Sequence, residues 1–430
     1  MSSKARHRRL FMALLLIALV GIATATVWSL NRLDESPLPA QDGPSPTTEA
    51  QIARGAYLAR AGNCATCHTE RGGAPYAGGR ALATPFGTVY SSNLTPDEAT
   101  GLGRWSAEAF WRALHNGRSR DGRLLYPVFP YPNYTQVTRA DSDALYAYLR
   151  SLPPAKAPNR AHELSFPIST QPALAVWRAL YFRPGVHRDE PGRTAEWNRG
   201  AYLVRGLGHC AACHEARNLL GASQGLELAG GLMPLQNWYA PSLRDPREAG
   251  VADWPGQDIV TLLRTGLAPR GGVLGPMADV VYRSTQHLSE PDLHAMAVFL
   301  KSLPPPPVMP SEPTHPTDVR LAQGAALYDR HCATCHGEQG EGVPGIYPAL
   351  AGNRAVRMAE PANVIRVIAK GGFLPATQGN PRPFGMPPFA HQLSDDDIAA
   401  VATYVRHSWG NRAGLVEPQT VGRLRAGGDD

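Results

Sequence analysis

Six cysteines are few for 430 residues, and none stands outside one short motif, so no pair is left over for a disulfide framework. Long β-branched runs are missing while Gly (43) and Pro (40) abound, which argues against a large sheet and predicts long loops. No basic stripe with interleaved aromatics occurs. The formal charge of +6 is spread along the chain apart from Lys4, Arg6, Arg8 and Arg9, so no nucleic-acid partner is expected. Methionine is absent between the N-terminal region and the second cysteine motif.

What is there is Cys-x-x-Cys-His, three times: Cys64-Ala65-Thr66-Cys67-His68, Cys210-Ala211-Ala212-Cys213-His214 and Cys332-Ala333-Thr334-Cys335-His336. In this spacing two thiols can form thioethers with porphyrin vinyl groups while the next residue ligates the iron. A zinc ribbon needs its cysteine pairs much closer in sequence. A thioredoxin-like redox motif needs a flanking βαβ pattern, and none is present. Neither alternative requires a His directly after the second Cys. Cys64, Cys67, Cys210, Cys213, Cys332 and Cys335 are therefore expected to hold three covalent haem c groups, with His68, His214 and His336 as proximal ligands.

The basic cluster at the N-terminus precedes an uncharged apolar stretch from Leu10 to Leu30, long enough to cross a bilayer as a helix. Positive charge stays on the cytoplasmic side, which puts the rest of the chain outside the inner membrane. A cleaved signal peptide with Ala23-Thr24-Ala25 at its cleavage site is the competing reading. The length of the run and Trp28 at its far end favour a retained anchor.

Each motif follows a related helix: Arg54-Gly55-Ala56-Tyr57-Leu58, Arg199-Gly200-Ala201-Tyr202-Leu203 and Gln323-Gly324-Ala325-Ala326-Leu327. After each motif, Trp105, Phe110, Leu114 and Gly117 share the spacing of Trp254, Ile259, Leu263 and Gly266; Ala359, Val364, Ile368 and Gly371 repeat it without the Trp. These helical intervals, each ending on Gly, read as core positions of one helix. Closing helices are expected at Asp141–Ser151, Ser289–Ser302 and Ser394–His407, with Tyr146, Phe299 and Tyr404 as partners for the close approach at Gly55, Gly200 and Gly324. The repeats divide the chain into a signal-anchor or signal peptide (1–30), a tether (31–50), a first domain (51–155), a linker (156–195), a second domain (196–304), a Pro-rich linker (305–317), a third domain (318–411) and a loose tail (412–430). A short helix, Ala173–Phe182, is expected inside the first linker.

A haem iron with His on one face takes its potential in part from the other. Met277 in Gly275-Pro276-Met277 and Met386 in Phe384-Gly385-Met386-Pro387-Pro388 stand in matching loops ahead of the closing helices and are the candidate distal ligands; a core Met is the plainer alternative. The first domain has Leu125-Tyr126-Pro127-Val128-Phe129-Pro130-Tyr131 there, and Phe129 cannot ligate iron. His115, Tyr126 and Tyr131 are weaker candidates, with His115 read first as an exposed residue near a helix end.

Taken with Ser91-Ser92-Asn93-Leu94-Thr95-Pro96-Asp97, Leu145-Tyr146-Ala147-Tyr148-Leu149 and Gly379-Asn380-Pro381-Arg382-Pro383-Phe384-Gly385-Met386-Pro387-Pro388-Phe389, the motifs make the chain resemble the three-haem cytochrome c subunits of membrane-bound bacterial dehydrogenases. The resemblance implies a mostly α fold, an N-terminal membrane helix followed by three cytochrome c-like haem domains on the periplasmic side of the inner membrane. It implies relay of electrons from a catalytic subunit (a molybdenum hydroxylase, flavoprotein or quinoprotein) to ubiquinone or a terminal oxidase. Val128-Phe129-Pro130-Tyr131 departs from the Ala-Met-Pro-Tyr form of the alcohol and gluconate systems and looks more like the cytochromes paired with molybdenum hydroxylases. A haem enzyme, a peroxidase or small-molecule oxidase using an open first haem, is the rival reading.

Overall fold

The computed structural model describes residues 3–32 and 47–425 apart from 224, 226, 270 and 308–313. Most of the expected tether and part of the Pro-rich linker lie outside the described residues. Helix α1 (Ser3–Leu30) is long and apolar enough to cross a membrane, and only its C-terminal end packs on the rest of the chain.

The first repeat opens with α2 (Glu49–Ala61), capped by the Thr48 hydroxyl accepting from Gln51 N–H, and the cysteine motif forms the short helix α3 (Cys64–His68). A hairpin, β1 (Ala81–Thr84) and β2 (Gly87–Tyr90), is extended by β3 (Glu163–Leu164). Then follow α4 (Ala107–Asn116), ending at Gly117 with φ 59°, α5 (Tyr131–Tyr134) and α6 (Arg139–Ser151), capped by Thr138. The linker contains α7 (Gln171–Tyr181).

In the second repeat, α8 (Ala195–Ala201) runs into one π-helical turn, Tyr202–Leu207. The cause is legible in the spacing: Cys210 follows Gly200 by ten residues where Cys64 follows Gly55 by nine, and the wider turn absorbs the extra residue. The repeat continues with α9 (Gly256–Thr265), α10 (Pro276–Arg283) and α11 (Glu290–Lys301). The third comprises α12 (Asp318–His331), α13 (Ala333–His336), α14 (Arg354–Arg357), α15 (Ala362–Lys370) and α16 (Asp395–His407), the last opened by a capping box between Ser394 and Asp397.

The opening and closing helices of each repeat cross at a glycine. A Cβ on Gly55, Gly200 or Gly324 would collide with the carbonyl oxygen of Ala144, Ala295 or Ala400, respectively. The side chains facing them are Tyr148, Phe299 and Tyr404. Tyr146, expected opposite Gly55, instead packs on Phe110 and donates its hydroxyl to Trp105 O (2.5 Å). The reason is register: Tyr148, not Tyr146, precedes Leu149-Arg150-Ser151-Leu152-Pro153, as Phe299 precedes Leu300-Lys301-Ser302-Leu303-Pro304.

Three helix pairs do not make three separate cores. Buried residues of the first two repeats form one continuous cluster, from Leu58 and Leu149 through Leu203 to Phe299, while the third repeat has its own around Ile365 and Ile398. The first two are also tied by reciprocal hydrogen bonds. Tyr57 donates to Asp292 (2.6 Å), which Arg199 holds from its own repeat (2.8 and 2.7 Å); Tyr202 donates to Asp141 (2.6 Å), which Arg54 holds (2.8 Å). Such mutual exchange is the pattern of a two-fold interface. The third repeat has Ala326 at the tyrosine position and meets the second elsewhere, through Arg354 on Asp253 (2.9 and 2.8 Å) and the Asn363 amide on the Tyr239 backbone.

The stretch expected as a loose tail is packed as far as Arg425, the last described residue. Helix α17 (Pro418–Arg425) buries Val421 and Leu424 against α15 and α16, and Val416 is buried ahead of it. A few apolar residues on one side of an otherwise polar segment suffice for that seat. Arg406, wholly buried, donates to the carbonyls of Val356, Met358 and Ala359, and burial pushes its guanidinium down to about 10.

Candidate haem centres

The six cysteines are unpaired in the structure. Burial pushes the thiols of Cys64 and Cys210 up to about 12 and that of Cys332 to about 11. Among the described residues no group of three or more His, Cys, Asp or Glu converges in a way that could hold a metal ion unaided.

One device recurs at each motif. The Nδ1–H of His68 donates to Ser92 O (2.7 Å), that of His214 to Pro241 O (2.7 Å) and that of His336 to Pro348 O (3.0 Å). A carbonyl on Nδ1 fixes the tautomer and leaves Nε2 as the free donor atom, the arrangement a metal-ligating imidazole requires. Burial lowers the basicity of all three imidazoles, against the pull of those carbonyls, which favours the neutral form that binds metal. Asn63 and His209, just before the first cysteine, have left-handed backbones (φ 51° and 40°) that turn the chain from helix into motif.

Around the second and third motifs lies one continuous, mostly apolar cavity of about 500 Å³. Cys210, Cys213, His214 and Met277 line it, as do Cys332, Cys335, His336 and Met386. A flat apolar macrocycle attached at the cysteines fits this lining, with a thioether on the same wall system as each histidine. Met386 is in a two-residue strand, Gly385–Met386, paired with Gly372–Phe373. Met277 is not in the extended loop expected: it occupies the second position of α10, where Pro276 at the first position starts the helix early. Sequence reasoning missed Met233 and Met358, which line the same cavity; no matched position in the repeats singled them out.

The first motif is built differently. Its cysteines and His68 do not line that cavity, although Asn63 beside them does. Phe129 takes the distal-loop position and packs near Tyr134 (5.4 Å between centroids) and Tyr131 (6.5 Å). His115 is buried rather than exposed, because its ring stacks on Trp111 (4.6 Å) and its Nδ1 pairs with Thr135 O (2.8 Å). Tyr126 donates to Ile168 O (3.1 Å), and Tyr131 is enclosed by Phe129, Trp177 and Phe182. Tyr126 and Tyr131 thus have other neighbours, while His115 carries the same Nδ1-to-carbonyl bond as the three motif histidines.

The first and second motifs are close to one another. Tyr134 donates its hydroxyl to Gly62 O (3.0 Å), the ring of His209 sits edge-on to Tyr134 (5.4 Å), and His209 Nε2 lies 3.2 Å from the same carbonyl. Ser284, at the end of α10, donates to Ala61 O (3.2 Å).

Comparison with known proteins agrees with this chemistry. The cytochrome c family model matches residues 52–153 and 321–409. The chain is 40% identical to the cytochrome c subunit of a quinone alcohol dehydrogenase from Gluconacetobacter polyoxogenes, over 87% of this chain and 84% of the relative. It is 37% identical to the cytochrome c subunit of gluconate 2-dehydrogenase from Pantoea cypripedii, over 88% and 90%. It is 41% identical to a nicotinate dehydrogenase subunit from Pseudomonas putida, over 91% of this chain but only 32% of that protein. The chain belongs to the cytochrome c family, among the electron-transferring cytochrome c subunits of dehydrogenase complexes.

Proposed function

We propose that this subunit carries three covalent haem c groups in three cytochrome c domains (51–155, 196–304 and 318–411), one on each Cys-x-x-Cys-His motif. It would relay electrons from a catalytic dehydrogenase subunit to ubiquinone or a terminal oxidase. Haem c as such follows from the family, and it supplies one-electron redox chemistry at its iron. The chain's own part is to hold each group, exclude water and set its potential. His68, His214 and His336 serve as proximal donors, and Met277 and Met386 as distal ones. The observation that carries the reading is the carbonyl-fixed imidazole repeated at all three motifs.

A relay needs its centres close, and two features support that. The shared Gly62 carbonyl joins the surroundings of the first and second motifs, and one cavity serves the second and third. Helix α1 supports anchoring in the inner membrane with the haem domains on the periplasmic side. For the partner, Phe129 in place of Met favours a molybdenum hydroxylase over a quinoprotein or flavoprotein, while the relatives divide between nicotinate, alcohol and gluconate dehydrogenases.

Alkaline pyridine haem quantitation on the purified chain, with intact mass, tests the count: three attached haems are expected, and two would overturn it. The rival reading, chemistry at an open first haem, draws on Phe129 alone. Carbon monoxide titration that perturbs none of the reduced haem bands would remove it.

A further inference from the structure

We propose that α7 lies in the surface of the same bilayer that α1 crosses, its outward face immersed together with Phe166 ahead of it and the Leu219–Leu220 turn beside it. The proposal rests on the reading of α1 as a retained membrane anchor.

Helix α7 is apolar on both sides, with Arg178 the only charged residue between Gln171 and Tyr181. Its inner face is settled: Leu174, Arg178 and Ala179 are buried at 3%, 5% and 5% exposure. Its outer face is Val176, Leu180 and Tyr181, at 46%, 60% and 38%. An amphipathic helix on a water-facing surface shows polar residues on that side, so this outer face is built for an apolar neighbour. The patch continues off the helix. Trp177 donates its indole N–H to Leu220 O (2.9 Å), which fixes the neighbouring turn with Leu219 almost wholly exposed (97%). Phe166, ahead of the helix cap Thr170, is 83% exposed.

The bilayer is favoured as the occupant by the way α7 is joined to α1. The Asn31 amide, one residue past the end of α1, donates to Ala175 O (2.9 Å), and its carbonyl oxygen accepts from Arg178 Nε (3.1 Å). Arg118 donates to the Asn31 backbone oxygen (2.8 Å), and Arg178 also reaches Asn116 O. The apolar run Leu10–Leu30 rises about 30 Å at ~1.5 Å per residue, the thickness of a hydrocarbon core, so Asn31 emerges at the membrane surface. Trp28, 61% exposed with the Arg32 guanidinium 4.5 Å over its ring, has the chemistry of that interface. A helix pinned to Asn31 is held at the same level, where an apolar face is buried into the headgroup and acyl boundary. Trp177 and Phe182 also pack on Tyr131 (6.4 and 4.8 Å), so a seated α7 turns the Phe129 loop of the first centre toward the membrane.

The test uses the full-length haem-loaded chain in phosphatidylethanolamine and phosphatidylglycerol vesicles, spin-labelled at one introduced cysteine: Leu180→Cys, Leu219→Cys, Leu16→Cys within α1, or Val319→Cys on the third repeat. Native cysteines in thioether linkage do not react. Oxygen against water-soluble nickel chelate accessibility, read by power saturation, should be several-fold higher at 180 and 219 than at 319, and approach the value at 16. Labels at 180 and 219 that match 319 while 16 is in lipid overturn the proposal, leave the anchor standing and return the face to a protein partner. If 16 is water-accessible too, the anchor reading falls and the proposal with it.

Discussion

The first two repeats and the third use one helix pair and one glycine crossing, yet they are joined in different ways. Repeats one and two share a hydrophobic core and exchange tyrosine-to-aspartate hydrogen bonds across a pseudo-two-fold axis. Repeat three keeps its own core and meets the second through an Arg354–Asp253 ion pair, a backbone-to-amide contact and a common apolar cavity. The difference teaches that the folding unit and the cavity need not coincide. The core divides the chain after the second repeat, whereas the cavity runs across that division.

The largest expected effect separates the two kinds of joint. Gly200→Ala drives a methyl into Ala295 O in the shared core, and Gly324→Ala does the same against Ala400 O in the separate one. Each should cost about 3 kcal/mol or more, since a backbone oxygen cannot step aside as a side chain can. Gly200→Ala is expected to lose repeats one and two together. Gly324→Ala should lose only the third, with repeats one and two still folded. Limited proteolysis followed by haem staining of the fragments distinguishes the two. Equal, whole-chain loss in both variants would show that the two cores are one cooperative unit.

Next in size is the contrast between the distal faces. Phe129→Met should raise the first haem potential on the order of 100 mV, within the range that axial ligation commands. That corresponds to about 2.3 kcal/mol for one electron. Where the native chain binds carbon monoxide at that haem, the same variant should suppress the binding. Spectroelectrochemical titration checks both. An unchanged potential with unchanged ligand binding would mean that residue 129 does not face the iron.

Much of this was legible in the sequence because it is carried by local spacing. The motif, the helix caps Ser289 and Ser394, and the glycine crossings all sit in short fixed intervals, whereas the first closing helix starts at Arg139 on a Thr138 cap, ahead of the expected Asp141. The extra residue behind the π turn is visible too, once Gly200–Cys210 is laid on Gly55–Cys64. What stayed hidden depends on three-dimensional partners. The carbonyls of Ser92, Pro241 and Pro348 lie 12 to 27 residues beyond their histidines and carry no side-chain signature. The fused core could not be read from any one repeat, although Tyr57 and Tyr202 against Ala326 recorded it in one column. The packing of α17 was masked by polar neighbours that make up most of its length.

The smallest expected effect bears on that column. Tyr57→Phe and Tyr202→Phe each remove one hydroxyl from a carboxylate at the joint between repeats one and two, and each should cost about 1.5 kcal/mol, the usual size for a hydrogen bond to a charged group. The pH dependence gives the sign. Burial works to raise the Asp292 carboxyl, but hydrogen bonds from Arg199 and Tyr57 outweigh it and hold the group below the ordinary carboxylate range. A carboxyl depressed in the folded state contributes its stability in full above its unfolded value, near 4, and loses it as pH falls through the lower folded value. Tyr57→Phe takes away part of that depression, so the acid unfolding midpoint of repeats one and two should move to higher pH, while the third repeat, with Ala326 at this position, keeps its own. An acid midpoint that does not move would mean that Arg199 alone sets the Asp292 carboxyl and that the reciprocal bonds only orient the joint.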